Sequence, residues 1–346
     1  MPQIKHILDP EKVGRIKELV DSSKRIVMTC HVSPDGDALG STLAMAFALT
    51  AMGKIATVVT PDNPPRQLSF IPGFKTVVSA TRNREAAQKA FANADLIICL
   101  DFNAIHRLDK MSSMLTESKA AKVLIDHHLN PEDFVDIVIS HPESSSTCAL
   151  IYRFLYDAGW PDLIVGHVAE CLAIGIMTDT GNFAYNSNDP DIFYIMGDLV
   201  ARGVDKDKFS NLIFSNNSES RLRLCSYAIS EKMQVYHQAG TALITLSKDE
   251  LNRFGYVKGD TEALVNVPLS IPGIYCSIFM RQDDDRYVKV SARSRGDFPV
   301  NKLCELHFNG GGHMNAAGGE YRDSIDNAES FVVKLILESA EPWNKN

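Results

Sequence analysis

Eight acidic and histidine residues in the N-terminal part of the chain have side chains that bind divalent cations, and they occupy four short segments. Three segments follow apolar, strand-like runs, and the fourth follows an apolar helical run. Oxygen and imidazole donors without a thiolate suit Mn²⁺, suit Mg²⁺ less well because of the imidazoles, and disfavour a structural zinc site. The residues are His31, Asp35, Asp37, Asp101, Asp126, His127, His128 and Asp179.

The number of these ligands indicates two cations rather than one. More than four ligands at one place imply two ions that share a bridging carboxylate, and two ions roughly 3.5–4 Å apart are an apparatus for hydrolysing phosphate esters. Several carboxylates brought together without a cation would repel each other and raise one another's pKa. The residues therefore predict a two-metal phosphoesterase site.

Each of these residues taken alone also fits a structural role. An aspartate directly after a strand, such as Asp101, is usually a helix N-cap, and a lone histidine is usually a satisfied core residue. The segment from Asp35 to Asp37 resembles the start of an EF-hand calcium loop, but Ala46 stands where that loop requires a glutamate. Adjacent histidines after an aspartate, together with three further acidic segments, favour metal binding for the set as a whole.

The elements that position these residues follow from the apolar periodicity. Short segments rich in β-branched residues are predicted strands, and the stretches between them have helical periodicity. Strands that are apolar on both faces and alternate with helices indicate a parallel sheet covered by helices, with ligands at its carboxyl edge. The predicted strands are residues 25–30, 56–60, 94–100, 122–125 and 135–140, and the helices between them include 38–52 and 83–93.

The pattern changes in the second half of the chain. Residues 147–233 are mostly helical, and a polar patch at 216–220 indicates a domain junction. We predict a first domain over 1–215, a connecting helix over 216–232 and a smaller α+β domain over 233–346. In the last of these we expect strands at 233–237, 241–246, 274–281 and 286–295, a turn at 282–285, and helices at 300–307 and 327–338.

The composition of the 346 residues is globular, with 45% apolar and 23% charged residues, which excludes a disordered, collagenous or coiled-coil chain. No apolar run approaches the ~18 residues that cross a bilayer, and the N-terminus has no apolar signal segment. The formal charge of −8 and the lack of a basic run disfavour extensive non-specific binding to nucleic acid. Seven scattered cysteines, none in a C-x-x-C pair, predict reduced thiols and a cytoplasmic location.

Three consecutive glycines, Gly310, Gly311 and Gly312, precede His313 in the second domain. They follow a helical stretch and no Lys-Ser/Thr pair follows them, so neither a P-loop nor a dinucleotide fingerprint fits. The residues alone leave two interpretations open: a tight turn with close backbone packing, or a nest of N–H groups that binds an anion.

Residues 286–295 alternate between two faces of a predicted strand. Lys289, Ser291, Arg293 and Arg295 share one face, and apolar residues share the other. The polar face is either a solvated outer surface or a surface that binds phosphate, for which arginine is well suited.

Taken together, these motifs resemble those of the DHH phosphoesterase superfamily, and the similarity extends over nearly the whole chain. Five motifs carry it, in the order of the family: 31–37, Asp101, Asp-His-His at 126–128, Asp179, and the glycine-rich segment 308–319, which resembles that of the DHH-associated domain. Length and layout are similar to those of the NrnA-type oligoribonucleases and 3′-phosphoadenosine 5′-phosphate (pAp) phosphatases. The resemblance implies an α/β fold with an N-terminal parallel-sheet DHH domain and flanking helices, a smaller α+β C-terminal domain, and an active-site cleft between them.

The resemblance also implies roles for the residues of the first domain. One Mn²⁺ would be held by His31, Asp35 and Asp101, with Asp179 as a further candidate. The other would be held by Asp37, Asp101, His127 and Asp179, so that Asp101 bridges the two ions; Mg²⁺ is an expected substitute. Among the catalytic residues, His128 would face the scissile phosphate and Asp126 would orient the histidines.

In the second domain, the resemblance implies that substrate phosphate is contacted by Arg293, Ser291, Gly310, Gly311, Gly312 and His313. Arg107 and Asn182 are weaker candidates. Residues 145–147 are predicted to cap a helix; the alternative is that they contact substrate phosphate.

The resulting hypothesis is a manganese-dependent phosphodiesterase and phosphatase that degrades very short oligoribonucleotides to mononucleotides and hydrolyses pAp. A linear or cyclic di-AMP phosphodiesterase is the alternative. Two further hypotheses rank lower. One is a RecJ-like exonuclease, which requires a basic and aromatic groove, and the other is an inactive nucleotide sensor. Expected partners are short oligonucleotides, pAp or dinucleotides, without long duplex nucleic acid or membrane. A homodimer is a candidate oligomeric state.

Overall fold

The chain forms two compact units that divide between residues 216 and 217 in the computed structural model, which describes residues 4–215 and 217–338. Each unit contains its own six-stranded sheet and its own hydrophobic core. Along the described residues, no helix combines the length and the apolar character needed to span a membrane.

The first unit is built on a fully parallel sheet with the strand order β3-β2-β1-β4-β5-β6. The order reverses between β1 and β4, and in open α/β sheets ligands bind beside such a switch point, at the carboxyl ends of the strands. The strands are β1 (Arg25–Thr29), β2 (Ile55–Thr60), β3 (Val78–Ser79), β4 (Leu96–Leu100), β5 (Ala121–Asp126) and β6 (Ile137–Ser140).

Eight helices accompany this sheet within the described residues of the first unit. They are α1 (Pro10–Ser22), α2 (Gly36–Ala51), α3 (Arg84–Ala92), α4 (Ser112–Glu117), α5 (Thr147–Asp157), α6 (His167–Asp179), α7 (Pro190–Ala201) and α8 (Lys206–Phe214).

Both faces of the first sheet are buried, because successive side chains of a strand point to opposite sides. Met28 and Ile98 enter one hydrophobic cluster, together with residues of α2, α5 and α6. Val27 and Ile97 enter a second cluster, together with Phe91 of α3. With apolar clusters on both faces, the polar side chains of this sheet are concentrated at the strand ends.

The second unit has a mixed sheet with the order β11-β12-β10-β9-β8-β7, in which only β8 and β9 pair in parallel. Val290 and Ala292 of β10 pack in one cluster with residues of α11 and α12. The elements are α9 (Glu219–Tyr227), β7 (Met233–Tyr236), β8 (Thr241–Leu246), α10 (Lys248–Arg253), β9 (Cys276–Asp284), β10 (Tyr287–Ser294), α11 (Val300–His307), β11 (Gly311–His313), β12 (Ala316–Tyr321) and α12 (Ile325–Glu338).

The predicted α/β class is confirmed, and three local features differ from the expectation. Strand β3 was not predicted, since it has only two residues. The turn expected at 282–285 is shorter, because β9 continues through Asp284 and pairs with β10 across a bulge. The glycine-rich segment forms a strand, β11, rather than a loop, because it pairs with β12.

Helices α2 and α6 approach each other closely at two glycines. A Cβ on Gly40 would lie 2.7 Å from the carbonyl oxygen of Cys171. A Cβ on Gly175 would lie 2.2 Å from the Sγ of Cys148 and 2.8 Å from an Oδ of Asp37. Side chains are therefore excluded at both positions, and the helix that carries Asp37 is held against α6.

We expect Gly175→Ala to lower the free energy of unfolding by about 1–3 kcal/mol, because the added methyl group overpacks the interior around Cys148. Gly14→Ala is the matched control: Gly14 lies in α1 with nothing within 4 Å of its added Cβ, so alanine should stabilise the helix by about 0.5–1 kcal/mol. Urea denaturation measures both values. A Gly175→Ala variant as stable as the wild type would contradict the packing described here.

Candidate active site

The predicted cation ligands of the first unit meet at the carboxyl edge of its sheet. Each of them lies at or next to the end of a strand or helix. His31 follows β1, Asp35 and Asp37 lie at the start of α2, Asp101 follows β4, Asp126 ends β5 and precedes His127 and His128, and Asp179 ends α6.

Asp101 lies between two groups of ligand atoms and turns one oxygen to each. On one side, the Nε2 of His31 lies 3.5 Å from Oδ2 of Asp101 and 3.7 Å from Oδ2 of Asp35. On the other side, the Nε2 of His127 lies 3.5 Å from Oδ1 of Asp101. This is the arrangement that a shared, bridging carboxylate requires.

The second group is completed by two further carboxylates around His127. Its Nε2 lies 3.5 Å from Oδ2 of Asp179 and 4.0 Å from Oδ2 of Asp37. Asp37, His127 and Asp179 each offer one ligand atom within 4.8 Å of the others, as do His31, Asp35 and Asp101. The structure thus brings together the predicted ligands in two groups.

Backbone carbonyl groups fix the orientation of two imidazoles. The Nδ1 of His31 lies 2.8 Å from the carbonyl oxygen of Val32, and the Nδ1 of His127 lies 3.1 Å from that of Ser144. Because a carbonyl oxygen only accepts, each Nδ1 is the donor, and each Nε2 faces the carboxylates. Such contacts set the tautomer in which a histidine binds a cation.

His128 is oriented by Asp126 rather than by the backbone of another segment. Its Nδ1 donates to Oδ1 of Asp126 at 2.7 Å, and its backbone N–H donates to Oδ2 at 3.1 Å. The same Nδ1 lies 3.8 Å from Oδ1 of Asp101. Asp126 is fully buried, so its carboxylate holds His128 firmly beside the shared carboxylate.

Thr147 contacts two of the clustered carboxylates, and the sequence did not indicate this role. Its hydroxyl donates to Oδ1 of Asp101 at 2.9 Å. Its backbone N–H and that of Cys148 donate to the two oxygens of Asp37, at 2.6 and 2.9 Å. The start of α5 therefore holds two carboxylates of the cluster, while the expected cap is supplied by Ser146, whose side chain accepts from the N–H of Ala149.

Asp101 also has an unusual backbone. Its φ is 65°, in the left-handed region that non-glycine residues seldom occupy. Such a conformation costs free energy and persists when surrounding contacts fix it, and it occurs most often at functional sites. The hydroxyl of Thr147 and the imidazole of His31 are among those contacts.

The weaker candidates have other partners. The backbone carbonyl of Arg107 accepts from the N–H of Val32 at 2.8 Å. The side chain of Asn182 donates to the hydroxyl of Ser210 at 3.4 Å, and its Oδ1 has no hydrogen-bond partner among the described residues. In these hydrogen bonds neither residue contacts the predicted ligands, but the charge of Arg107 reaches His31 and acts to lower its pKa.

In the second unit, Arg293 and His313 lie on one face of the sheet. Arg293 is opposite Ala316 of β12, and Ala316 is opposite His313 of β11. Residues directly opposite each other share a face, and the neighbouring Ala292 is buried in the core on the other face. We refer to Arg293, Ala316 and His313 as the arginine row.

The next row on the same face contains Ser291, Gly318 and Gly311, which we call the serine row. Gly310 and Gly312 have a different role, since a Cβ on them would lie 1.9 Å and 2.5 Å from carbonyl oxygens of β12. Successive N–H groups of a strand point in alternating directions. The segment Gly311–His313 therefore does not form the loop nest that the consecutive glycines suggested.

Comparison with known proteins identifies both units. Residues 25–176 match the N-terminal domain of the DHH family, and residues 241–340 match the DHHA1 domain. The chain belongs to the DHH family. The solved structure of an exopolyphosphatase-related protein from Bacteroides fragilis is 41% identical, with a TM-score of 0.96, and the match covers 99% of this chain and 100% of that one.

Curated relatives carry two kinds of name. A bifunctional oligoribonuclease and PAP phosphatase NrnA from Thermus thermophilus is 26% identical over 95% of this chain and 94% of the relative. A cyclic-di-AMP phosphodiesterase PdeA from Listeria monocytogenes is 27% identical over 93% of this chain and 48% of the relative. The DHH-family membership and the NrnA relatives establish that the chain is a metal-dependent phosphoric ester hydrolase.

Burial and crowding perturb the carboxyl groups of the DHH domain. Burial, and then the charge of Asp101, raise the pKa of Asp37 to about 7. Burial, and then the charge of Asp37, raise the pKa of Asp179 well above its usual range. Burial also acts to raise the pKa of Asp101, but the hydrogen bond and charge of His31 outweigh it and hold that pKa well below its usual range.

The imidazoles of the DHH domain shift in the direction expected beside carboxylates. Burial lowers the pKa of His31, but the hydrogen bond to Asp101 and the charge of Asp35 outweigh it and raise the pKa to about 9. Burial likewise lowers the pKa of His127, and the charges of Asp101 and Asp179 outweigh it, again to about 9. The cluster thus retains protons to offset its negative charge, and a divalent cation can replace them.

The donor chemistry fits a divalent cation of the hard or borderline type. Two thiols lie near the cluster, and burial raises the pKa of both Cys30 and Cys148 well above the usual value, with Asp101 and Asp37 respectively adding to the effect. These thiols stay neutral, so the donors are carboxylate oxygens and imidazole nitrogens. That set suits Mn²⁺ or Mg²⁺ and is unlike a structural zinc site.

We expect Thr147→Val to weaken Mn²⁺ binding by about 10–100-fold, because Asp101 loses the hydroxyl that orients it. Thr147→Ser keeps the hydroxyl and should stay within about threefold of the wild type. Titration calorimetry on chelator-treated protein measures the affinities, and thermal melts without metal verify that both variants fold. Equal affinity of the valine variant and the wild type would rule out this role.

We expect the metal-free DHH domain to become less stable as pH rises. Asp37 keeps its proton up to about pH 7 when folded but ionises in the unfolded chain near its ordinary pKa of 3.8, so stability falls over that interval. The stabilisation from His31 and His127 is complete below about pH 6.5 and is lost as pH rises through about 9.

Mn²⁺ should therefore raise the melting temperature more at high pH than at low pH. At low pH the cation must displace protons from the carboxyl and imidazole groups, whereas at high pH these groups have already lost them. Melts of chelated and Mn²⁺-loaded protein across this pH range measure the increment. A melting temperature of the chelated protein that increases between neutral pH and about pH 9 would contradict the assignment.

Proposed function

We propose that this DHH-family hydrolase is a manganese-dependent phosphodiesterase and phosphatase that degrades very short oligoribonucleotides to mononucleotides and hydrolyses pAp. The observation that carries the proposal is the position of Asp101 between two groups of cation ligands, with one oxygen toward each. The NrnA relatives, which are named for both activities, support the substrate class.

Two cations would be held by neighbouring ligand sets that share Asp101. The first set is His31, Asp35 and Asp101, and the second is Asp37, Asp101, His127 and Asp179. Bound there, a cation pair supplies activation of water and neutralisation of the charge on the phosphate oxygens. Imidazole ligands favour Mn²⁺ over Mg²⁺ for this role.

His128 and Asp126 act on the reacting phosphate as a pair. Asp126 accepts from Nδ1 of His128, which fixes the orientation of the ring. In its doubly protonated form, the imidazole also offers an Nε2–H donor where negative charge develops in the transition state. In the second unit, Arg293, Ser291 and His313 bind a phosphate that does not react, with the guanidinium as the bidentate partner.

Short substrates agree with the charge of the chain. A protein that tracks a long nucleic acid neutralises many phosphates with a basic stripe. This chain has a net charge of −8, so few phosphates are contacted at once. Seven cysteines without a disulfide, all within the described residues, agree with a reducing, cytoplasmic location.

A linear or cyclic di-AMP phosphodiesterase is the second candidate. The relative named for cyclic di-AMP is as similar in sequence as the NrnA relative, at 27% against 26% identity. The same ligand groups serve either substrate, so the metal site does not separate the two activities.

We expect Asp101→Asn to reduce hydrolysis of every substrate by at least about a thousandfold, because an amide cannot bridge two cations. Asp21→Asn, an exposed residue of α1, should leave the rates unchanged. Rates on pApA, pAp, cyclic di-AMP and an oligomer of about 24 nucleotides, with Mn²⁺ and then with chelator, rank the candidate substrates.

Circular dichroism of the Asp101→Asn variant verifies the fold. Retained turnover in that variant would refute the shared-ligand assignment. Turnover of cyclic di-AMP far above that of pApA and pAp would favour the second candidate, and turnover of the long oligomer alone would refute both.

A further inference from the structure

Strand β10 carries a third polar residue, Lys289, on the face that holds Ser291 and Arg293. The three alternate with Val288, Val290 and Ala292, which are buried on the opposite face. Two residues of an antiparallel strand span about 6.8 Å, so Lys289 lies about 13–14 Å from Arg293 along the strand. It is exposed to solvent.

Lys289 is directly opposite Arg281 of β9 and Glu320 of β12, and we call these three residues the lysine row. Arg281 is held by Asp283 and also donates to the hydroxyl of Thr261 at 3.1 Å. Glu320 accepts from the Nε of Arg322 at 2.9 Å.

Both neighbours of Lys289 therefore direct their charge to other partners. Within residues 4–215 and 217–338, no hydrogen bond or ion pair to the ammonium group of Lys289 is found. Burial of the side-chain stem, and then the charge of Arg281, lower the pKa of Lys289.

Two like charges directly opposite each other in a sheet are unfavourable. Arg281 and Lys289 form such a pair. Asp283 contacts Arg281, and the charges of Asp283 and Glu262 offset the repulsion at Lys289 only in part, because burial and the charge of Arg281 outweigh them. Positions at which a local rule is broken without full compensation are often functional. An anion bound at this row would supply the missing negative charge.

The serine row between Arg293 and Lys289 leaves room for a ligand. Two of its three members, Gly318 and Gly311, have no side chain. On β9, the residue opposite Ser291 is Phe279, which is buried in a hydrophobic cluster, so the open part of the row lies over β10, β12 and β11. A Cβ on Gly318 would meet only the carbonyl oxygen of Val290, at 3.3 Å. Glycine inside a strand often marks a place where a ligand approaches the backbone closely.

We propose that Lys289 binds the phosphate that follows the one held at Arg293, so that the lysine row selects oligonucleotides over pAp. This inference rests on the proposed function. In pAp, one phosphate reacts and the other is bound at Arg293, so none is left for Lys289. In a substrate with three phosphates, the third extends along β10 to the lysine row.

The test compares Lys289→Gln with the wild type on pAp and on the trinucleotide pApApA, both with Mn²⁺. We expect the KM for pApApA to rise about five- to tenfold, kcat to stay unchanged, and both constants for pAp to stay unchanged. Lys289→Arg should keep the KM of the wild type, because it keeps the charge. Lys302→Gln is the matched control, since Lys302 lies on α11 and pairs with Glu305.

A second measurement does not depend on turnover. Fluorescence anisotropy of labelled pApApA in chelator gives the dissociation constant at several salt concentrations. Loss of one phosphate contact should reduce the slope of log K against log salt by about 0.7 for a single strand.

The outcomes separate this inference from the proposed function. A wild type that hydrolyses neither compound would refute the function itself. If the wild type hydrolyses both pAp and pApApA, and Lys289→Gln leaves the KM for pApApA and the salt slope unchanged, Lys289 does not bind a phosphate of the substrate. Equal losses for pAp and pApApA would also overturn the selection of length.

Discussion

The repulsion between buried carboxylates is the constraint on which the rest of this structure depends. Asp37, Asp101 and Asp179 are brought within reach of one imidazole, and burial makes their charge expensive. Without a cation, protons on carboxyl and imidazole groups offset that charge, as the raised pKa values of Asp37 and His127 indicate. The folded DHH domain therefore needs either these protons or bound cations to offset the charge of its buried carboxylates.

The scaffold resists this repulsion by tying each carboxylate to a rigid element. The first two N–H groups of α5 hold Asp37, and the hydroxyl at the same helix start holds Asp101. The absence of side chains at Gly40 and Gly175 lets α2 pack closely against α6, which fixes the position of the helix that carries Asp37. Cys148 takes part in both arrangements, since its N–H binds Asp37 and its side chain fills the space beside Gly175.

The sequence predicted which acidic and histidine residues come together in the first unit, because these residues follow a general rule of parallel sheets. Apolar strands are easily located, and polar residues directly after them, such as His31 and Asp101, must lie at one edge. Thr147 was missed because its partner Asp101 is 46 residues away and a serine-threonine run predicts a cap equally well. Strand β11 was missed because glycine disfavours strands, and only pairing with β12 decides its conformation.

The predicted cation ligands all belong to one folded unit, whereas the rows of Arg293, Ser291 and Lys289 belong to the other. These three side chains alternate along β10 with Val288, Val290 and Ala292, which are buried on the opposite face. Exchanging the three side chains leaves those core residues in place and does not touch the carboxylate cluster of the first unit. Under the proposed function, a chain divided in this way can diversify its substrates by surface substitution while its hydrolytic chemistry is inherited unchanged.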